Sequence, residues 1–155
     1  MSALRESPRK RSRAAALQVL FSFEFADREG RRADAQEIFE EAGQHFELPE
    51  GARTFAKEIV VGVAGHRAEL DVLLAAHARH WRVERMASVD RNVLRIGAWE
   101  LVHSDAPTPV VIDEAVQLAR RFGGDRSPGF VNGVLDAVAA SVRPGGETPG
   151  TEPAS

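Results

Sequence analysis

The residues with the clearest chemical potential lie near the N-terminus, where four cations are followed by an amide and an aromatic ring. On a helix, Arg9 and Arg13 share one face because they are four residues apart. Cations can follow a phosphate backbone, an exposed ring can stack on a base with about 1 to 3 kcal/mol, and an amide can hydrogen-bond a base edge. The segment therefore favours single-stranded RNA as a ligand. Its residues are Arg9, Lys10, Arg11, Arg13, Gln18 and Phe21.

The net charge of the chain is divided unevenly along the sequence. Residues 1–20 carry a net charge of +4, and the remainder carries -7. A cationic segment attracts phosphates, whereas an acidic body attracts basic partners. A basic N-terminus can also be merely solvated, and Phe21 could belong to the core, so these residues alone leave RNA binding as one of two interpretations.

Metal and nucleotide sites are weakly indicated. His77 and His80 stand three residues apart, which can bring two imidazoles to one metal, but a third ligand at a known spacing is missing. The glycine-rich segment 123–127 lacks the lysine and the preceding strand of a phosphate-binding loop. We therefore expect interface histidines, a turn between helices, and neither a metal nor a cofactor.

Catalytic groups are also poorly supported. The chain has no cysteine, which excludes a thiolate nucleophile and a disulfide framework. The carboxylates Glu100, Asp113 and Glu114 could form an acid and base pair, but nothing in the sequence places them in one cleft. We expect a protein without enzymatic activity.

Length and composition are those of one globular domain. The chain has 155 residues, of which 43% are apolar and 28% are charged. No signal peptide is visible, and no uncharged apolar stretch is long enough to span a membrane. A cytoplasmic location is the simplest expectation.

The apolar periodicity predicts helices throughout. One helix is expected from Pro8 to about Arg28, a shorter one over about 33–42, and a single long helix from near Pro49 to His77. Three further helices are expected to begin with side-chain caps. These caps are Ser88, Thr108 and Ser127.

The pattern as a whole predicts an all-α fold with six to seven helices. We expect one domain over residues 1–142, built from two packed sub-bundles at about 8–79 and 80–142. The stretch 143–155 is rich in Pro, Gly, Thr and Glu and lacks apolar residues, so it is predicted to be a disordered tail.

Four segments resemble the NusB transcription antitermination family. They are RAAALQVLF at 13–21, VDRNVLRIGAWEL at 89–101, PVVIDEAVQLA at 109–119 and FVNGVLD at 130–136. The resemblance implies a helical fold of two roughly perpendicular sub-bundles without catalysis. It further implies binding of boxA RNA in ribosomal RNA leader transcripts together with NusE, a small-subunit ribosomal protein, and indirect association with RNA polymerase and other Nus factors. Self-association of the free chain into a homodimer stays open.

The resemblance also implies which residues bind. Besides the N-terminal set, RNA contacts are expected in the glycine-rich turn and the helix that follows it, and Glu84 and Asp90 are expected to face NusE. Three family positions differ here, because Phe21 stands where tyrosine is common, Gly129 where lysine is common and Asp113 where asparagine is common. The expected RNA contacts in the turn are Asp125, Arg126, Ser127 and Phe130.

Two other functions remain as alternatives. The chain could be a helical scaffold that binds proteins only, with its basic segment solvated. Similar helical modules also precede domains that methylate ribosomal RNA, but the sequence contains no glycine-rich nucleotide-binding unit. The salt dependence of RNA binding separates the RNA-binding adaptor from the scaffold, because only phosphate contacts release counterions.

Overall fold

The all-α prediction is confirmed in the part of the chain that the structure describes. The computed structural model describes residues 7–28, 30, 34–79 and 81–146, and within these ranges it contains seven α-helices and no strand. The chain forms two compact units, residues 1–65 and 66–155, which we call the N-terminal and the C-terminal unit. The helices are α1 (Pro8–Arg28), α2 (Ala35–Gly43), α3 (Glu50–Gly65), α4 (Arg67–His77), α5 (Ser88–His103), α6 (Thr108–Phe122) and α7 (Ser127–Val142).

The N-terminal unit consists of α1, α2 and α3, each packed against the other two. The predicted bounds of α1 are confirmed: Pro8 is its first residue, and the Ser7 hydroxyl accepts a hydrogen bond from the Lys10 amide at 3.2 Å. The apolar stripe of each helix supplies the core of the unit. Its largest buried side chains include Leu17, Val19, Leu20, Phe39, Ile59, Val60 and Val63.

The predicted single helix from Pro49 to His77 is wrong. The helix ends at Gly65, His66 adopts a non-helical turn conformation (φ -115°, ψ 16°), and α4 begins at Arg67. Apolar residues keep helical spacing across this break, so the periodicity conceals it. Glycine costs about 1 kcal/mol relative to alanine inside a helix, which makes Gly65 a favourable end. As a result α4 belongs to the C-terminal unit, whereas the predicted division near residue 79 assigned it to the first sub-bundle.

The C-terminal unit is arranged around α5, which packs against α4, α6 and α7. A close approach of α7 depends on Gly97, because a Cβ atom there would lie 2.6 Å from Cδ1 of Leu135. Such a distance is too short for two carbon atoms, so only glycine allows this packing without a shift. The buried residues around this contact include Val93, Leu94, Ile96, Leu101, Val131 and Val138.

The predicted capping side chains occupy slightly different positions. Ser88, Thr108 and Ser127 are each the first residue of their helix, and the residue before each of them provides no side-chain cap. Boundaries commonly differ by one residue between sequence and structure. The Thr108 hydroxyl instead accepts a hydrogen bond from the Arg143 guanidinium at 3.0 Å.

The predicted tail begins too early, because Arg143 is only 2% exposed and belongs to the fold. Its guanidinium donates to the carbonyl oxygens of Leu101 at 3.0 Å, Ser104 at 2.9 Å and Ala106 at 2.7 Å. These carbonyls lie at the end of α5 and in the following loop, where helical partners run out. The rest of the predicted tail, from 147 onward, lies outside the described residues.

Two further observations concern membranes and metals. Over the described ranges, no helix combines the length and the apolarity that crossing a lipid bilayer requires. The same ranges contain no group of three or more His, Cys, Asp or Glu side chains that could hold a metal ion. His80, one half of the histidine pair considered above, lies outside these ranges.

Candidate nucleic-acid interface

The first turns of α1 present cations on the surface of the N-terminal unit. Arg9 is exposed, and its guanidinium carbon lies 3.8 Å from the centre of the Phe55 ring on α3. A cation over an aromatic face is held electrostatically, so the ring fixes the start of this side chain without neutralising its charge. The structure thus places Arg9 where a phosphate can reach it.

Arg13, a predicted RNA contact, is buried. It is 5% exposed, and its guanidinium carbon lies 5.4 Å from the same Phe55 ring. A long side chain can pack its stem along apolar surface, which explains how this cation fits between α1 and α3. Arg13 therefore packs in the interface between α1 and α3, against the same Phe55 ring that Arg9 contacts.

Lys10 and Arg11 are half-buried beside Arg9. The Arg11 guanidinium donates a hydrogen bond to the backbone carbonyl of Glu47. The next residue, Ser12, is buried and donates from its hydroxyl to the carbonyl of Ala52 at 2.7 Å. These contacts fix the rotation of α1 about its axis, which determines the side on which its cations emerge.

Further along α1, Gln18 and Phe21 are exposed as RNA contacts require. The Phe21 side chain is 48% exposed, so its ring does not belong to the core. Phe25, one turn later, is also exposed. Exposed rings one turn apart offer a surface on which bases can stack.

In the C-terminal unit, the turn between α6 and α7 is shaped by Ser127. This residue is buried, and its hydroxyl accepts a hydrogen bond from the Gly124 amide at 3.0 Å. A Cβ atom at Gly123 would lie 2.6 Å from that hydroxyl oxygen, so the turn requires glycine there. Ser127 therefore holds the turn, whereas Asp125 and Arg126 are exposed on it.

A cavity of about 550 Å³ opens beside this turn. The ring of Phe130 meets the ring of Trp81 edge-on, with centres 5.5 Å apart and planes at 65°. Trp81 is 60% exposed, which is unusual for so large an apolar side chain. The cavity is lined by Trp81, Arg85, Met86, Ala87, Asp90, Gly124, Asp125, Arg126, Ser127 and Phe130.

The two residues expected to face the partner protein differ in exposure and in whether they line the cavity. Glu84 is exposed on a 3₁₀ turn, Val83–Arg85, and does not line the cavity. Asp90 is half-buried in the first turn of α5 and lines the cavity with Phe130 and Arg126. Its Oδ1 atom is the one buried side-chain oxygen or nitrogen without a hydrogen-bond partner among the described residues.

Buried arginines of α5 hold the segment that carries Trp81 and Glu84. The Arg91 guanidinium donates to the carbonyl oxygens of Val83 at 3.2 Å and Met86 at 2.8 Å. Burial and, secondarily, the charge of Arg95 lower the pKa of Arg91 from its usual value. Arg95 forms a bidentate pair with Asp71 on α4, with both distances at 2.8 Å. This network fixes one wall of the cavity.

Sequence reasoning missed Trp81 and Arg85 as members of this site. The available signal was a tryptophan close to arginines at 79, 82 and 85, all of which are exposed. Their place beside Phe130 was not predictable from spacing, because the lining residues come from two distant stretches of the sequence, 81–90 and 124–130.

The model of the NusB family matches residues 10–140 of the chain. The chain belongs to the NusB family. The transcription antitermination protein NusB of Sorangium cellulosum is 47% identical over 135 residues, which cover 86% of this chain and 93% of that protein. NusB of Solibacter usitatus is 44% identical over 130 residues, covering 84% and 87%. The NusB assignment makes the chain a transcription antitermination factor and not an enzyme.

Solved NusB structures share the fold. The chain superposes on T. maritima NusB with a TM-score of 0.79 and 34% identity, over 90% of this chain and 96% of that one. A crystal structure of the antitermination factors NusB and NusE in complex with dsRNA gives a TM-score of 0.72 and 29% identity, over 86% and 97%. The predicted resemblance to NusB is thereby confirmed.

Proposed function

We propose that this chain binds boxA RNA of ribosomal RNA leader transcripts together with NusE and so promotes processive transcription of ribosomal RNA operons. The observation that carries the proposal is the start of α1, where Arg9 is exposed over Phe55 and Gln18 and Phe21 follow on the surface. A solved relative contains NusB, NusE and RNA in one complex, which supports the same set of ligands here. RNA polymerase and other Nus factors would be reached indirectly, in the bacterial cytoplasm.

Each unit offers RNA its own contacts. In the N-terminal unit, Arg9, Lys10 and Arg11 provide charge for phosphates, and Phe21 provides a stacking surface. In the C-terminal unit, the exposed Arg126 provides charge beside the aromatic cavity. Phosphate contacts supply affinity without sequence information, so the recognition of boxA must come from bases.

The acidic remainder of the chain suits a basic ribosomal protein. Outside residues 1–20 the net charge is -7, and the exposed Glu84 extends from the 3₁₀ turn next to α5. Opposite charges steer association and fix orientation. We place NusE on the surface around Glu84 and Asp90, with the exposed Glu84 as the principal anionic contact.

The RNA surface is tested with the triple variant Arg9→Ala, Lys10→Ala, Arg11→Ala. We expect its affinity for a single-stranded boxA RNA to fall at least tenfold, since each phosphate contact contributes about -0.7 to the slope of log affinity against log salt. Removing three contacts should flatten that slope by about 2. Fluorescence anisotropy with labelled RNA measures both quantities, and circular dichroism confirms that the variant is folded.

The control removes charge elsewhere. The variant Lys57→Ala, Arg120→Ala changes exposed or half-buried cations away from the proposed contacts, so its salt slope should match that of the wild type. Losses in proportion to the three and two charges removed would show that only net charge matters. A flat salt response of the wild type would favour the scaffold that binds proteins only.

The partner surface is tested with Glu84→Lys. We expect weaker binding of NusE and unchanged binding of RNA by the isolated chain, because this side chain is exposed and lies outside the cavity. Calorimetric titration with NusE gives the first quantity and anisotropy the second. Unchanged NusE affinity would move the partner surface away from Glu84.

A further inference from the structure

We propose that two copies of this chain associate through the groove between α6 and α7, related by a two-fold axis that crosses both helices near their middle. The groove has a volume of about 580 Å³ and lies within the C-terminal unit. None of the residues that we propose to bind RNA or NusE lines it. The inference therefore goes beyond the proposed function and does not depend on it.

The two ends of the groove carry opposite charges. Asp113, near the start of α6, and Asp136, in the second half of α7, line one end. Arg120, near the end of α6, lines the other. All three side chains are exposed. Because α6 and α7 are joined by a short turn and run in opposite directions, the two carboxylates lie at the same end.

These charges are not neutralised within one copy. The Gln117 amide, which is uncharged, donates to Oδ2 of Asp113 at 2.7 Å. Among the described residues, neither Asp113 nor Asp136 forms an ion pair, and the Arg120 side chain forms neither an ion pair nor a hydrogen bond. Both signs are thus available to a partner that carries the opposite pattern.

The spacing along α6 is complementary to itself. Asp113 and Arg120 are seven residues apart, which is two turns and about 10 Å, and Val116 lies between them. A second α6 that runs in the opposite direction and crosses at Val116 places Arg120 of each copy opposite Asp113 of the other. A two-fold axis requires this kind of reciprocal pairing.

The groove-facing side of α7 has the same symmetry. Gly129 and Asp136 are also seven residues apart, with Asn132 between them. Asp136 of one copy then faces Gly129 of the other, where no side chain obstructs it. Asn132 faces its own copy, and an amide can pair with an identical amide because it contains both a donor and an acceptor.

One axis serves both helices. Val116 lies six residues before the end of α6 at Phe122, and Asn132 lies five residues after the start of α7 at Ser127. The two midpoints are therefore at nearly the same height above the turn. A single two-fold axis through this level pairs the charges of α6 and the amides of α7 at the same time.

A second copy fits this groove better than the other ligands do. RNA would be repelled by the two carboxylates, and a basic protein such as NusE by Arg120. The interface is small: Thr108 to Arg120 spans about 18 Å, and two helices of about 10 Å diameter cover about 360 Å² per copy. Since standard interfaces bury about 800 Å² per partner, we expect a weak dimer that salt weakens further.

The test is analytical ultracentrifugation of the full-length chain over a wide range of concentrations. We expect reversible dimerisation of the wild type. Arg120→Asp should weaken it at least tenfold, because each new carboxylate meets two others, and the double variant Asp113→Lys, Asp136→Lys should do the same with cations. An equimolar mixture of these two variants should regain the affinity of the wild type, since every reversed charge then meets its opposite.

The matched control is Arg79→Asp, which makes the same change of charge at an exposed position after α4 that does not line the groove. It should dimerise like the wild type, and circular dichroism checks that every variant is folded. An effect equal to that of Arg120→Asp would show that net charge alone matters, which overturns the interface.

Three other outcomes would also overturn the inference. The first is a wild type that stays monomeric up to about 1 mM. The second is a mixture of the two reversed variants that stays monomeric. The third is weaker NusE binding by Arg120→Asp together with a monomeric wild type, which would assign the groove to NusE. None of these results changes the expected loss of RNA binding in the α1 triple variant, so the proposed function is tested separately.

Discussion

At the scale of single residues, burial decides what each arginine does. Arg9 and Arg126 are exposed and available to phosphates, whereas Arg143 is buried and donates to backbone carbonyls. A planar guanidinium with five donors is suited to closing the end of a helix in this way. Sequence reasoning treats these residues alike, because charge and spacing do not reveal which carbonyls will lie nearby.

Arg143→Met is expected to destabilise the chain strongly. The substitution leaves the carbonyls of Leu101, Ser104 and Ala106 without this donor, and the expected loss is about 2 to 4 kcal/mol in the free energy of unfolding. Urea denaturation measures this loss. The control Arg126→Met, at an exposed position, should change stability by no more than about 0.5 kcal/mol. Equal effects of the two substitutions would contradict the role given to Arg143.

His103 is expected to make stability depend on pH. Its ring lies 4.3 Å from that of His66, and burial together with the charge of His66 lowers its pKa, with Glu69 acting in the opposite direction. A histidine with a lower pKa in the folded state binds fewer protons there than in the unfolded chain. Its contribution is therefore complete above the ordinary pKa of 6.5 and is lost as the pH falls below that value.

The corresponding measurement is the melting temperature between pH 8 and pH 5, over which we expect the wild type to lose stability on acidification. His103→Gln should show a weaker dependence on pH, because it has no imidazole to protonate. His45→Gln, at an exposed histidine in the N-terminal unit, serves as the control and should follow the wild type. Parallel curves for His103→Gln and the wild type would exclude this histidine as the cause.

At the scale of helices, the contact between α5 and α7 depends on one glycine. We expect Gly97→Ala to destabilise the chain by about 1 to 3 kcal/mol, because the added methyl group meets Leu135 at 2.6 Å. Gly133→Ala is the matched control in α7, since a Cβ atom there meets nothing within 4 Å. That control should be neutral or stabilising by up to about 1 kcal/mol. Urea denaturation of both variants measures the loss in the free energy of unfolding. Equal losses in the two variants would refute the packing argument.

Helix prediction succeeds where local chemistry marks the ends. Pro8 predicts the start of α1, and Ser127 predicts the start of α7 to within one residue. It fails at Gly65, because the apolar period continues through the break. The spacing of apolar residues shows which face of a helix is apolar. It does not show a break at which one helix ends and the next begins with the same spacing.

The candidate site was less predictable than the helices. The α1 segment could be identified because its cations and rings are close together in sequence, although burial removes Arg13 from the exposed set. The cavity could not, because Trp81, Asp90 and Phe130 are brought together only by the packing of the C-terminal unit. The unpartnered oxygen of Asp90 is likewise a property of its three-dimensional surroundings, whereas the resemblance to the NusB family implied that this residue faces the partner protein.

At the scale of the whole molecule, charge separation along the chain suits the two ligands of opposite sign that we propose. The first 20 residues carry +4 and the rest carries -7, so RNA and a basic protein need not compete for the same charges. A basic partner also lowers the repulsion between the acidic body and RNA. We therefore expect NusE to strengthen RNA binding, and by reciprocity RNA to strengthen NusE binding by the same factor.

The most direct test of this account is the affinity of the chain for single-stranded boxA RNA, measured by anisotropy at one moderate salt concentration with and without saturating NusE. Binding of RNA by NusE alone is measured in parallel and subtracted. The account predicts that NusE tightens the binding of RNA to the chain at least tenfold and that a complex of all three forms. Unchanged RNA affinity, or displacement of the RNA by NusE, would contradict it.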